Sequence, residues 1–402
     1  MTRIAAALAV AFGLLALGVA CWGDGHVPKA EPIAGEAIAF VASETGSSPD
    51  IYMINADGSG FGRVTESEDI DWWPTWSPDG GQLAFFSWRP PEATPEATPD
   101  TTPEATPDTT PDTTPEAVEP PTLTPEELAL RRLVVRDLDS DEETTVADFL
   151  PLQTYPGLFS WSSDGKHIVY MAIADPTQIP VRARIQSVDV ATGMQTVLAE
   201  DQLGFHPAWS PDGTKIAFVG WIGEPDESGQ QESELFVMDR DGSNLQQLAS
   251  RPGPDLSPRW SPDGRRIAWW GYGPEDEPSR LFMVDVESGE LTELGLGSDP
   301  IWSPDGSRLL FVQEEQKPGV ITFKPNSEVF VLDVETGEQL NLTDNIVPDY
   351  WPTWSPDGSR IAFVSERDSP QGDIYVMNAD GSDVKRLTDN DLRESMLAWS
   401  PG

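Results

Sequence analysis

A serine and an aspartate lie two residues apart in a short motif, WSPDG, that recurs along this chain. A hydroxyl beside a carboxylate could serve a nucleophilic enzyme or a cation site, or it could shape a turn. A tryptophan opens the motif in every copy, which adds a large apolar side chain. The motif begins at Trp76, Trp209, Trp260, Trp302 and Trp354, with the variant WSSDG at Trp161 and the shorter WSPG at Trp399.

The order of residues within the motif favours a turn. In the copy that begins at Trp354, Ser355 suits the first position of a type I turn, and Pro356 has its φ already set for the second. Asp357 suits the third position, and Gly358 can adopt the positive φ that a three-residue hairpin loop with a bulge requires. We therefore expect the serine and the aspartate to be architectural rather than catalytic.

Other patterns for catalysis or metal binding are weak. The three histidines, His26, His167 and His206, are too scattered for a zinc site. The acidic segments 137–143 and 239–242 lack the spacing of a twelve-residue calcium loop and are interpreted as turns. The sequence has neither a G-x-S-x-G elbow nor a phosphate-binding loop. The sequence thus predicts no catalytic residue, no metal site and no cofactor.

The charge of the chain limits its partners. Its 402 residues include 68 acidic and 25 basic ones, which gives a formal net charge of −43. Nucleic acid and anionic membrane surfaces repel so negative a protein, which argues against both as its main partner. An acidic surface favours a basic protein partner or bound cations, or it serves only solubility.

The first twenty residues have the pattern of a secretion signal. Arg3 precedes an unbroken run of apolar and small residues up to Ala20, slightly short for a membrane span. The sequence GVAC that ends at Cys21 resembles the lipobox of bacterial lipoproteins, which implies a lipid on Cys21. An ordinary secretion signal, cleaved nearby, is the alternative. We expect residues 1–20 to be removed, residues 21–35 to form a tether, and the protein to be periplasmic or lipid-anchored on the outer side of the membrane.

The spacing of the motif indicates a repeat architecture. Its tryptophans recur at intervals of 42 to 52 residues, after a first interval of 85. The first interval contains a tract of Pro, Thr and acidic residues, which cannot bury enough apolar surface to fold. We interpret residues 89–126 as a disordered insertion in the second repeat, and residues 36–402 as one repeat domain. A period of about 40–50 residues is typical of propeller blades.

Each repeat is predicted to contain four antiparallel strands. In the last full repeat, segments 361–365 and 374–377 have β character, and a turn follows the first strand and the third. The first repeat lacks a first strand of its own, whereas residues 395–400 form a first strand with nothing after it. The sequence therefore predicts an all-β, seven-bladed β-propeller of four-stranded antiparallel blades. Its ring is closed by pairing the C-terminal strand into the N-terminal blade.

The repeats resemble those of the TolB-type β-propeller family over most of residues 38–402. The resemblance rests on segments such as WSPDGSRIAFVS, DIYVMNADGSDVKRLT and WSPDGTKIAFVG. It implies protein binding, because the family includes the periplasmic TolB protein, whose propeller binds the peptidoglycan-associated lipoprotein. Seven predicted blades instead of six, and only about fifteen residues between Cys21 and the first strand instead of an α/β domain, indicate a TolB-like lipoprotein rather than TolB itself. Similar repeats also precede the hydrolase domain of prolyl-oligopeptidase-type peptidases and form oligogalacturonate lyases.

The loops that vary most between repeats predict the binding face. The turns of the WSPDG and NADGS types are nearly uniform, and strand alternation places both on one face of the ring. The second-to-third loops and the inter-blade loops share the opposite face, where they vary and carry aromatic residues. Aromatic rings beside carboxylates suit a basic peptide or a sugar, although the same rings could instead cap the core between blades. The candidate binding residues are Trp72, Trp73, Tyr155, His206, Tyr350 and Trp351.

Together these features predict a monomeric, non-catalytic binding module of the cell envelope. Its partner would be a protein, basic in character, or a cell-wall glycan, and only an N-terminal lipid would contact the membrane. The alternative from another class is a carbohydrate-binding or polysaccharide-lyase-type propeller, which a cluster of His, Arg and Gln at the mouth of the ring would favour. A third interpretation is a sensor or scaffold whose Pro/Thr tract spans the cell wall or is glycosylated.

Overall fold

The computed structural model of the chain describes residues 29, 36–89, 131–148, 159–173, 183–199, 204–222, 232–251, 253–272, 278–315 and 326–402. The predicted signal, Cys21, Tyr155 and residues 90–126 of the predicted insertion lie outside these ranges. The described part contains 28 strands, and it includes no helix long and apolar enough to cross a membrane.

The strands form seven four-stranded sheets, which are the blades of the propeller. Blade 1 consists of β28 (Arg393–Trp399), β1 (Ala37–Ser43), β2 (Asp50–Asn55) and β3 (Gly62–Arg63). Blade 2 consists of β4 (Ile70–Trp76), β5 (Gln82–Trp88), β6 (Arg131–Asp137) and β7 (Glu143–Asp148). Blade 3 consists of β8 (Phe159–Trp161), β9 (His167–Ile173), β10 (Ala183–Asp189) and β11 (Gln195–Ala199).

The other four blades follow in chain order, and neighbouring strands are antiparallel within each. Blade 4 consists of β12 (Gly204–Trp209), β13 (Lys215–Ile222), β14 (Glu232–Asp239) and β15 (Gln246–Ala249). Blade 5 consists of β16 (Asp255–Trp260), β17 (Arg266–Gly271), β18 (Arg280–Asp285) and β19 (Leu291–Leu296). Blade 6 consists of β20 (Ser298–Trp302), β21 (Arg308–Glu315), β22 (Asn326–Asp333) and β23 (Gln339–Asn341). Blade 7 consists of β24 (Asp349–Trp354), β25 (Arg360–Ser365), β26 (Asp373–Asn378) and β27 (Lys385–Arg386).

The second strand of each blade is covered on both sides by its neighbours. In β25, every residue from Ile361 to Ser365 is buried, and the same holds for the residues of β17 after Arg266. A strand buried on both faces needs no polar alternation, which explains the continuous apolar runs in the sequence. The core consists of clusters between successive blades, such as the one that joins Leu310 of blade 6 to Phe363 of blade 7. The predicted all-β, seven-bladed architecture is confirmed.

Strand β28 closes the ring, as the sequence predicted. It pairs antiparallel with β1, so that Trp399 lies opposite Ile38. Directly after the strand, the amide of Ser400 donates to the carbonyl of Ala37 at 2.8 Å, and its Oγ accepts from the amide of Ala37 at 3.0 Å. The guanidinium of Arg360 in blade 7 lies 5.2 Å from the centre of the Trp399 ring. Blade 1 therefore contains strands from both ends of the chain.

The WSPDG motif forms a turn that joins neighbouring blades. Ser355 Oγ donates to Asp357 Oδ1 at 2.6 Å and accepts from the amide of Arg360 at 2.9 Å, while Gly358 has a φ of +69°. In five blades the indole nitrogen of the motif tryptophan donates to a first-strand carbonyl of the preceding blade, at 2.9–3.2 Å. The motif serine and aspartate are therefore engaged in the turn, which confirms their architectural role.

The turns of successive blades also touch around one face of the ring, which we call the turn face. A Cβ added to Gly402 would lie 3.4 Å from Pro356 of blade 7, and one added to Gly80 of blade 2 would lie 3.6 Å from Pro401. The WSPG segment therefore occupies the place of a complete motif in this circle of proline and glycine contacts. Closure of the ring thus involves both the strand pairing and the turn face.

Candidate functional site

The first strand of the blades carries a backbone irregularity at a fixed place. Three residues before the motif tryptophan, φ lies between +50° and +58°, and the pairing with the second strand shifts. A positive φ is uncommon for a residue with a Cβ, and a bulge of this kind re-aims a side chain. We call these six described positions the bulge residues: Trp73, His206, Ser257, Asp299, Trp351 and Met396.

Four of the six bulge residues line a central channel, a cavity of about 710 Å³ to which the first strands of all seven blades contribute. Trp73, Asp299, Trp351 and Met396 all line it, and its other end reaches the motif prolines of the turn face. The cavity falls in the size range of small-ligand sites, roughly 300–1,000 Å³. The backbone at the bulge is the same from blade to blade, whereas the side chain differs. The fold therefore does not determine which residue type occupies the bulge position.

Trp73 and Trp351 meet inside the channel. Their ring centroids are 5.3 Å apart and their planes are inclined by 72°, the edge-to-face geometry that aromatic pairs prefer. They belong to blades 2 and 7, which flank blade 1, so the pair spans the inner edge of that blade. Both rings are half-buried and line the cavity. The structure thus brings together two of the residues predicted from the sequence.

Trp72 and Tyr350 precede these two residues and have different surroundings. The Trp72 ring stacks on Phe86 at 6.2 Å and packs against the core between blades, the capping role that the sequence left open. Tyr350 lines the channel, and its hydroxyl lies 3.5 Å from Glu366 Oε1. Burial raises the pKa of Tyr350 to about 12, so its phenol keeps its proton at neutral pH.

His206 is buried between blades 4 and 5 and is not displayed at the mouth of the ring. Its Nδ1 accepts a hydrogen bond from the amide of Ser257 at 3.2 Å, which places the ring proton on Nε2. Burial, reinforced by the positive charge of Arg259, lowers the pKa of His206 to about 3, so the imidazole is neutral at physiological pH. His206 therefore stabilises a junction between blades. Tyr155, the remaining candidate, lies outside the described residues.

Two charged residues that the sequence analysis did not single out line the channel. Asp299 is the bulge residue of blade 6, and Arg259 directly precedes the motif tryptophan of blade 5. In the described part of the chain, no ion pair joins either side chain to another residue, and the Arg259 guanidinium makes no hydrogen bond there. Burial raises the pKa of Asp299 to about 6, although the charge of Arg259 opposes this shift. Burial also lowers the pKa of Arg259.

One signal in the sequence could have identified Arg259. The residue before the motif tryptophan is small or aliphatic in the other six blades: Thr75, Ser160, Ala208, Ile301, Thr353 and Ala398. A long cation at this position departs from the repeat, and the repeat itself does not require it. Comparison between blades at one position therefore separates residues that build the fold from residues that serve a site.

Buried carboxyl groups occupy four junctions between blades, where the first strands begin. At each junction, one acidic residue lies near the start of a blade's third strand, and the other lies at or near the start of the next blade's first strand. None of these eight side chains is more than 3% exposed. Burial raises the pKa of Glu394 to about 8, so this carboxyl keeps its proton at pH 7. Burial also raises the pKa of Asp255 to about 7, although the Arg251 guanidinium, 2.6 Å away, opposes this shift. The four pairs are Asp50 with Asp71, Glu234 with Asp255, Glu328 with Asp349, and Asp373 with Glu394.

The loops beside these junctions form an acidic surface around the mouth of the channel, which we call the inter-blade face. It contains Ile346, whose exposure of 62% is high for an apolar residue. Opposite the turn face, it therefore combines negative charge, an exposed apolar side chain and access to the channel. Its exposed acidic residues include Glu66, Glu68, Asp344, Asp389 and Asp391.

The acidic turns that resembled calcium loops contain local hydrogen bonds. Asp137 Oδ1 accepts from the amide and from the hydroxyl of Ser140, each at 2.8 Å. Asp239 Oδ1 accepts from Lys215 Nζ at 2.9 Å. Across the described ranges, no group of three or more His, Cys, Asp or Glu residues is arranged to hold a metal ion. The bonds of Asp137 are those of a turn, and that of Asp239 is an ion pair between neighbouring strands.

Residues 214–402 match the family model described as the TolB beta propeller domain. The match begins before the second strand of blade 4 and includes the closing strand, and it confirms the resemblance seen in the sequence. A TolB homolog of Chlorobium chlorochromatii (strain CaD3) is 30% identical over 158 residues, which cover 39% of this chain and 32% of that protein.

Proteins named as enzymes are also similar. The uncharacterized peptidase YuxL of Bacillus subtilis (strain 168) is 26% identical over 190 residues, which cover 39% of this chain and 28% of that protein. The matches thus span less than a third of either relative. The crystal structure of an oligogalacturonate lyase from Vibrio parahaemolyticus has a TM-score of 0.57 at 17% identity, and the match covers 87% of this chain and 89% of that one. Such a likeness shows the propeller fold.

Proposed function

We propose that this chain is a non-catalytic TolB-like propeller that works outside the cytoplasm and binds a protein partner of basic character through its inter-blade face. The observation that carries the proposal is the Trp73–Trp351 pair, held at the channel by two bulges. The same bulge occurs in other blades with His, Ser, Asp or Met at this position, so the fold does not require a tryptophan. Large, rigid aromatic rings are favoured anchors of protein interfaces.

The charge of the face supports a basic partner. Exposed carboxylates of the inter-blade loops surround the channel mouth, and the whole chain carries a formal charge of −43. Such a field attracts a positively charged surface over distances of about a Debye length, roughly 10 Å at 0.1 M salt. The lysine or arginine side chains of the partner can then lie against the aromatic rings, where cation–π contacts add to the attraction.

The predicted leader supports a location outside the cytoplasm. A signal over residues 1–20 would direct export, and a lipid on Cys21 would hold the propeller close to a membrane by the tether of residues 21–35. Mass spectrometry of the mature N-terminus tests this part of the proposal. We expect a diacylglyceryl-modified Cys21, whereas a mature chain that begins elsewhere or carries an unmodified cysteine contradicts lipid anchoring.

Partner capture tests the binding face. The protein, immobilised by its C-terminus through a flexible linker, is exposed to an extract of the native envelope, and each captured protein is quantified. The double variant Trp73→Ala/Trp351→Ala and the single variant Ile346→Ala are expected to lose the same partner that the unmodified chain retains.

Met194→Ala is the matched control for this experiment, because Met194 is 67% exposed and lies on the turn face, after the third strand of blade 3. We expect this variant to capture the partner as the unmodified chain does. Retention of the partner by all variants, at unchanged melting temperature, contradicts the proposed face. Loss with Met194→Ala alone places the interface on the turn face.

The alternative is a carbohydrate-active propeller, and the observation that favours it is the Arg259 side chain in the channel. It predicts turnover of oligogalacturonate, seen as the absorbance of an unsaturated product, with or without added divalent metal. We expect no turnover, since burial and the charge of Arg259 lower the pKa of His206 to about 3, which makes this imidazole a weak base. Measurable turnover that disappears in Arg259→Gln would replace the non-catalytic proposal.

A further inference from the structure

The surroundings of Arg259 indicate that the channel binds a second kind of ligand. Among the residues that line the central channel, Arg259 and Asp299 are the charged ones, and neither forms an ion pair within the described part of the chain. A guanidinium has five donors and stays protonated in proteins, so removing it from water without a partner is unfavourable. An occupied channel would supply the missing acceptors.

We propose that the central channel binds a ligand that carries a carboxylate beside an aromatic or apolar group. The Arg259 guanidinium holds the carboxylate, and the Trp73–Trp351 pair contacts the apolar group. A carboxylate matches the fork of a guanidinium with two parallel hydrogen bonds, the strongest pairing open to this side chain. This site lies inside the ring, and it goes beyond the binding of a basic protein at the inter-blade face.

The geometry of the first strands places the two contacts at different depths. Arg259 stands two residues further along its strand than the bulge position, which is roughly 7 Å deeper into the channel at about 3.3 Å per residue. The tryptophan pair lies at the bulge level, on the opposite side of the ring from blade 5. A ligand of this kind would therefore enter with its anionic end first.

The apolar character of the remaining wall suits the second half of the ligand. Apolar residues such as Met396, Ile301, the motif prolines and the motif tryptophans predominate in the rest of the lining, beside the hydroxyl-bearing Ser160 and Thr353. Apolar surface removed from water contributes about 25 cal/mol per Å². The wall thus favours a ligand with a ring or an alkyl group over a small hydrophilic anion.

Asp299 opposes the bound carboxylate and makes the site sensitive to pH. Its charged neighbour is Arg259 from β16, and its other polar neighbours are Ser298 on its own strand and the Trp270 indole on β17. With its pKa raised to about 6, Asp299 is mostly ionised at pH 7.5 and mostly neutral at pH 5. Because a neutral Asp299 no longer repels the ligand, the carboxylate binds more tightly as pH falls from 7.5 to 5.

Matched acid and amide probes test the proposal in two arms. Calorimetric titration of the purified full chain uses 3-phenylpropionate against 3-phenylpropionamide, and N-acetyl-Ala-Ala-Phe with a free C-terminus against its C-terminal amide. We expect each acid to bind at least about tenfold more tightly than its amide, the effect of one charge-assisted pair. Tighter binding in the first arm indicates a small organic acid as the natural ligand, and in the second arm the C-terminus of a peptide.

Two variants with opposite expected effects complete the test. Arg259→Gln should weaken binding of both acids at least about tenfold. Asp299→Asn should tighten it several-fold at pH 7.5 and abolish its dependence on pH, a gain that misfolding cannot produce. Equal affinity for acid and amide, or unchanged affinity in Arg259→Gln, overturns the proposal. Partner capture by Arg259→Gln is expected to be normal, so failure here is distinguishable from failure of the inter-blade face.

Discussion

Two positions of one strand, only three residues apart, behave differently around the ring. The motif tryptophan is the same in all seven first strands, and in five blades it donates a hydrogen bond to the preceding blade. The bulge residue has a conserved backbone angle from blade to blade, but its side chain is Trp, His, Ser, Asp or Met. Repetition within a chain therefore marks what the fold requires, and variation at a fixed geometry marks what it leaves open for binding.

The same contrast separates the two faces. On the turn face, nearly uniform turns of the WSPDG type touch one another and form the circle of contacts that the terminal WSPG completes. On the inter-blade face, loops of different length carry exposed acidic residues and an exposed isoleucine. They surround the entrance to a channel that is lined by both charged and apolar residues. Rigid repeats on one face can thus support variable binding groups on the other.

Removal of the closing strand should produce the largest effect. Deletion of residues 394–402 removes most of β28, the Ser400 hydrogen bonds to Ala37 and the last member of the turn circle. It exposes the inner edge of β1, and we expect the melting temperature to fall by more than about 10 °C, or the protein to aggregate. Addition of a synthetic peptide of residues 391–402 should restore part of the loss. An unchanged melting temperature after deletion contradicts non-covalent closure.

Alanine substitution at the two contrasted positions should give unequal losses of stability. Trp302→Ala removes a buried ring, its hydrogen bond to the Arg259 carbonyl at 3.0 Å and the contact with Arg266, and should cost about 3–5 kcal/mol of the free energy of unfolding. Trp351→Ala removes a half-buried ring that packs edge-to-face on Trp73, and should cost about 1 kcal/mol. Chemical denaturation measures both values. Equal losses would mean that the bulge tryptophan is structural.

The stability of the ring should depend on pH through the junction carboxyls, with a smaller effect. The pKa of Glu394 is raised to about 8 by burial, so between its unfolded value and pH 8 the folded state binds more protons than the unfolded state. Stability must therefore fall as pH rises through this window and level off above pH 8. Asp255, with its pKa raised to about 7, acts in the same direction and ceases to contribute earlier.

Glu394→Gln isolates this effect. Between pH 7 and 8.5, we expect the melting temperature of the unmodified chain to fall by a few degrees, about 2–4 °C, and that of the variant to stay nearly constant. A melting temperature of the unmodified chain that rises over this interval would contradict protonated Glu394. This variant tests the inter-blade junctions without touching the turn face.

The fold could be predicted from the sequence because the turn motifs, the spacing of the repeats and the incomplete end repeats all indicated the same architecture. The Ser-Pro-Asp-Gly order specified the turn, the period specified the blades, and the incomplete first and last repeats together specified the closing strand. Each feature depends on residues that are close in the chain or that recur at a fixed interval. Such patterns are readable without coordinates.

The candidate site was less predictable, because its members meet only when the ring is closed. Trp73 and Trp351 are 278 positions apart in the chain, yet their rings are in contact. Trp72 and His206 have equally suggestive neighbours in the sequence, but the bulge geometry turns them toward the core and a blade junction. Arg259 was not predicted, because the signal for binding came from aromatic residues in variable segments, whereas this cation lies within a regular strand.

Hydrogen–deuterium exchange on the complex with the captured partner tests the central claim most directly, since it locates the interface without any substitution. We predict slower exchange on binding in the inter-blade segments 64–74, 344–352 and 389–396, with the WSPDG turns unchanged. Protection centred on the turns 355–359 and 303–307, with no change at the inter-blade face, would contradict the division of the ring into an architectural face and a binding face.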